Sequence, residues 1–185
     1  MYNVPTYNSQ FYLPDWVEER VIACRSNKLI TDLVDAGTIS DGYPIFRTGY
    51  WNELKQIHSN AVNAGTNKYP CIYVPIQYEE DHNLEDGFDI NYSIFIMMAS
   101  GKKYSSEKRL DDVVKTVLNP IYKAFLDEVK NNEWVFNTDT RYPEHVRQNL
   151  IFDQSQNEGQ NQLNEVIEAI QITFNPLTFI NKMNN

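Results

Sequence analysis

The chain has 185 residues, 42% of them hydrophobic, which is enough for one well-packed core and short for two. With 16 Lys and Arg against 25 Asp and Glu, its net charge of -9 excludes a general nucleic-acid binder, because such binding needs cations to replace the counterions around phosphates. Cys24 and Cys71 form neither a CxxC pair nor a dense framework and read as free structural thiols, and the sequence shows neither a signal-peptide pattern nor an apolar run of the ~18 residues a membrane span needs.

Residues 1 to 14 set Tyr2, Tyr7, Phe11 and Tyr12 among Asn, Ser, Gln and Pro. That composition suits an extended N-terminal arm lying on a partner, with an ordinary frayed terminus as the alternative. Asp15 is then a candidate cap for a helix whose apolar face holds Trp16, Val17, Ile22, Leu29, Ile30 and Leu33, interrupted at Ser26 and Asn27 and ended near Gly37. Turn residues from Asp41 to Pro44 leave room for a short strand about Ile45 and Phe46, and Trp51, Leu54, Ile57, His58, Ala61 and Val62 offer a helix that stops at Gly65. Tyr69 to Ile76 predicts a strand, placed at an edge or bulged because Pro70 and Pro75 cannot donate to a ladder.

Glu79 to Asp89 reads as an acidic hairpin loop, followed by an inner strand in which Ile90, Tyr92, Ile94, Ile96 and Met98 alternate with a second, partly apolar set. A polar turn leads to a helix capped by Ser105 or Ser106, with a wide apolar stripe from Leu110 to Val129. Pro120 predicts a kink near Thr116 or a division into two helices. Asn137 to Gln162 is a long polar insertion with Tyr142, Val146, Leu150, Ile151 and Phe152 as anchors. Val166 to Phe174 alternates as a last strand that Pro176 ends.

These elements predict a single α+β domain over residues 15 to 180, with a mixed or antiparallel sheet and helices on one face. Chemistry is sparsely signalled. The run from Asp81 to Gly87 has the oxygen density of a calcium loop, but its Gly and its twelfth residue, Tyr92, miss the EF-hand template. His58, His82 and His145 fall in separate elements with no zinc spacing, and no phosphate-cradling glycine motif is present. Asp111 with Asp112, and Glu165 with Glu168, are the pairs of acids open to catalytic work, against the simpler reading of acids favoured at a helix start. Lys102, Lys103, Lys108 and Arg109 make a compact basic cluster, either a solvated surface or a patch that meets phosphate or the acidic 79 to 89 segment of another copy. No catalytic, cofactor or metal-binding residue is assigned.

The order of elements resembles tail-terminator and tail-completion proteins of tailed bacteriophages, and also the neck ring proteins of those particles. The carrying stretches are Tyr69 to Ile76, Asn91 to Met98, the helix with Arg109 and Leu118-Asn-Pro-Ile121, and Glu168 to Ile172, within about 100 residues. The Tyr- and Asn-rich style is similar to that of crAss-like phages. The resemblance implies a structural virion protein, not an enzyme, that is assembled in the host cytoplasm and forms a ring, often sixfold, between tail tube and neck. A head-tail connector is the alternative place. Its partners would be its own copies and the adjoining tail and portal-side proteins, with DNA as passing cargo and no cofactor or membrane. Interface candidates are then Tyr2, Tyr7, Phe11, Tyr142 and Phe152 from arm and insertion, plus the four basic residues. A metal-dependent hydrolase and a monomeric binding domain are the readings from other classes.

Overall fold

The computed structural model of the chain describes residues 12–50, 69–84, 87–101, 105–132, 135, 143–152 and 165–180. Their elements are α1 (Leu13–Cys24), α2 (Lys28–Asp35), β1 (Ile45–Gly49), β2 (Cys71–Pro75), β3 (Glu79–Leu84), β4 (Gly87–Gly101), α3 (Ser106–Arg109), a π-helical segment (Leu110–Leu118), α4 (Asn119–Lys130), β5 (His145–Phe152) and β6 (Glu165–Ile180). The sheet runs β1-β2-β4-β6-β5, and β3 also pairs with β4. Strands β1 and β2 are parallel and all other pairs antiparallel, so the sheet is mixed and the fold α+β.

The period-2 pattern decides the layers. Ile90, Tyr92, Ile94 and Ile96 of β4, with Ile170, Ile172 and Phe174 of β6, face the helices and join Val17, Val21, Leu118, Ile121 and Phe125 in the main core. The alternate residues Phe95, Met97, Ile167 and Ala169 join Tyr69, Cys71 and Tyr73 in a smaller buried cluster on the opposite face. At the far end of β6, Phe179 stacks on Phe88 with ring centroids 5.3 Å apart and meets Trp16 edge-on at 5.0 Å. The Trp16 indole donates to Asn132 Oδ1 at 3.3 Å, so a polar residue buried at the end of α4 keeps a partner.

Several expectations need correction. The 79 to 89 segment is not a loop: Glu79–Leu84 is a strand, and backbone pairing with β4 outweighs its acidic composition because its charged residues stay exposed. The polar insertion likewise contains β5, whose ladder with β6 runs from His145↔Phe174 to Phe152↔Ile167. Strand β2 is interior, not an edge. Pro70 precedes it and only accepts, from Ile45 N–H at 3.1 Å, while Pro75 ends it. Nor does Pro176 end β6. Between the pairs Ile90↔Leu177 and Tyr92↔Phe174, one β4 residue opposes two of β6, so Pro176 sits in a bulge where a missing N–H leaves no gap in the ladder.

Asp15 lies in the first turn of α1, not at its cap, and Leu13 and Pro14 belong to that buried helix, not to an arm. Ile22 points outward at 51% exposure. The expected interruption falls at residues 25 to 27, where Asn27 caps α2 by accepting from Leu29 N–H at 3.0 Å. The helical run continues through Pro120, which stands in the first turn of α4. The preceding segment widens to i→i+5 bonds, with Asn119 N–H donating to Val114 O, so the proline ring enters where an α-helical carbonyl would clash. The helix expected from Trp51 to Val62 lies outside the described residues.

Candidate functional site

Ser105 caps α3 by accepting from Lys108 N–H at 3.2 Å, which fixes the start of the basic helical turn. Lys108 is exposed there. Arg109 turns inward: its Nε lies 3.3 Å from Oε1 of Glu168, whose side chain is only 5% exposed. The basic cluster is therefore divided, because one of its cations is held by the last strand. Burial pushes the Glu168 carboxyl up from its ordinary range, against the opposing pull of Arg109 and a hydrogen bond from Ser100. Glu168 is thus engaged by Arg109, and Glu165 is placed only by its backbone at the start of β6. Asp111 is bound to Lys115 one helical turn on, at 2.5 Å. Lys102, Lys103, Tyr2, Tyr7, Phe11 and Tyr142 lie outside the described residues, and Phe152 is placed by its backbone in β5.

A second grouping, which the sequence did not signal, ties β5 to α4. His145 Nδ1 lies 2.7 Å from Pro143 O, and because a carbonyl only accepts, the ring proton sits on Nδ1. Nε2 then accepts from the Tyr122 hydroxyl at 2.7 Å. Arg147 lies over the Tyr122 ring, 4.6 Å from its centroid, and donates to Asn119 Oδ1. The phenol is pushed up by burial and pulled down by Arg147. These contacts form a clasp: each polar group finds its partner within the chain, and the arrangement positions an edge strand against a helix. Beyond it, β5 has no strand on its outer side among the described residues, and Val146 and Ile151 are each 58% exposed.

An open cleft of ≈ 670 Å³ lies where β2 leaves β4, lined among others by Gln77, Glu79, Asn91, Ser93, Thr173 and Asn175. Ser93 and Thr173 hydroxyls lie 3.0 Å apart, and Gln171 Nε2 donates to both. The lining mixes these polar groups with Pro75, Tyr78, Tyr92 and Phe174. Among the described residues no three His, Cys, Asp or Glu side chains gather to hold a metal, and no helix is long and apolar enough to cross a membrane. Cys24 and Cys71 are both buried free thiols.

No family model, no curated protein and no solved structure matches the chain significantly.

Proposed function

We propose that this chain is a structural subunit that assembles with its own copies, a ring protein at the head-proximal end of a phage tail, joining tail tube to neck. A head-tail connector is the neighbouring alternative. The observation that supports assembly is the β5 edge, a strand with no partner on its outer side among the described residues that exposes Val146 and Ile151. The place in the virion rests on the element order that resembles tail terminators, carried by a mixed sheet under helices. In this reading the edges of the sheet meet neighbouring subunits, and DNA passes through the ring without base-specific contact.

Native mass spectrometry with negative-stain electron microscopy of the purified chain tests the reading. Closed rings of fixed stoichiometry are expected. A protein that stays monomeric over the full concentration range contradicts it.

A further inference from the structure

We infer that β5 is a self-association seam, in which two copies pair this strand antiparallel across a twofold axis and continue one sheet through both. The inference uses the same β5 edge as the ring reading but gives it a different contact, because a twofold contact joins copies in pairs while a closed ring needs a head-to-tail contact.

Among the outer strands of the sheet's pairing scheme, β1 is acid-free but only five residues long, while the longer β3 and β5 differ in how they discourage pairing. Natural edges are blunted by charge, proline or bulges. Strand β3 follows that rule with exposed Glu79, Glu80 and Asp81. Strand β5, HVRQNLIF, contains no acid, no lysine and no proline. Its single arginine is drawn onto the chain's own helix by Asn119 and the Tyr122 ring, away from the open edge. On a chain of net charge -9, an acid-free strand is where a second copy meets least repulsion. Val146 and Ile151, at 58% each, supply apolar area that pairing would cover.

Geometry narrows the register. A twofold axis normal to the sheet makes the two edges antiparallel and keeps both sets of helices on one side, so residues of the same parity face each other. With the axis at Gln148, Val146 lies opposite the partner's Leu150. Leu150 already packs against the smaller apolar cluster, on the face opposite the described helices, so that cluster extends across the seam. Arg147 falls opposite the partner's Asn149 and Ile151 opposite the partner's His145. No like charges meet.

The test uses the full chain with Gln148→Cys under mild oxidation, read on a non-reducing gel. Opposed Cα atoms at the axis stand about 4.5–5.5 Å apart, within disulfide reach. Buried Cys24 and Cys71 do not compete. Val146→Cys is the control, since its two copies would be offset by four residues, roughly 13 Å along the strands. Expected are efficient cross-linking of Gln148→Cys alone and a roughly tenfold weaker association of Val146→Lys/Ile151→Lys by sedimentation. Equal cross-linking of both cysteine variants, or unchanged association of the lysine variant, overturns the seam. If the wild type forms rings that ignore the lysine changes, the seam fails and the ring reading stands. A wild type that stops at a dimer, together with efficient cross-linking of Gln148→Cys, supports the seam and removes the ring.

Discussion

Arg109 Nε stands 3.3 Å from Glu168 Oε1, joining the first turn of the long helix to the last strand of the sheet across the edge of the core. The carboxylate is almost fully buried and the guanidinium about one-fifth exposed, so the pair is shielded from salt more than a surface bridge would be. Neither atom has a well-aligned hydrogen-bond partner, which makes the attraction chiefly coulombic.

Removing one partner strands the other. Arg109→Met is expected to destabilise the fold by ~2–3 kcal/mol, at the low end for a buried pair because the arginine is partly solvated. Urea denaturation measures this, and a change below the error of the method would show that the pair contributes nothing.

The same contact sets a pH dependence. Burial raises the Glu168 carboxyl above its ordinary value of 4.5, so from there up to its folded value the folded chain holds a proton that the unfolded chain releases. The glutamate's contribution to stability therefore falls as pH rises through that window and is level above it. Glu168→Gln should remove this component from the pH profile of the urea midpoint, and an unaltered profile would contradict the assignment.

Ile96 is fully buried between β2 and β6, opposite Ile72 and Ile170. Ile96→Asp places an unpaired carboxylate among aliphatic side chains, a cost of several kcal/mol that is comparable to the stability of a whole domain. Loss of cooperative unfolding by circular dichroism is the expected outcome.

Both thiols are pushed up to about 12, chiefly by burial. The native protein should therefore react slowly with a thiol reagent at pH 8, and both cysteines should label once urea unfolds it. Fast labelling of either thiol in the folded state would show that its element opens.

The alternation of apolar residues made β4 and the start of β6 legible in the sequence, because both strands bury a continuous face under helices. Strands β3 and β5 were hidden for the opposite reason. Each takes its stability from main-chain pairing with a long neighbour and leaves polar side chains outside, so composition alone reads as loop. Proline was misleading where geometry absorbed it, at Pro120 through a π-helical segment and at Pro176 through a bulge. The clasp was unreadable in principle. Tyr122, His145 and Arg147 are brought together only by the pairing of β5 with β6, and no spacing in the chain announces that contact.

That clasp sets the stability of the edge strand. Tyr122→Phe keeps the aromatic ring beneath Arg147 but removes the hydroxyl that donates to His145 Nε2. The imidazole is only partly buried, so water can replace the lost donor, and the expected cost is about 1 kcal/mol. Because the contact touches β5 and not the centre of the sheet, the loss should be local. Hydrogen exchange should speed up at β5 amides while those of β4 keep the protection set by global unfolding. Unchanged β5 exchange in Tyr122→Phe would mean that the strand is held by its ladder with β6 alone, and a uniform acceleration across β4 as well would mean that the clasp belongs to the core.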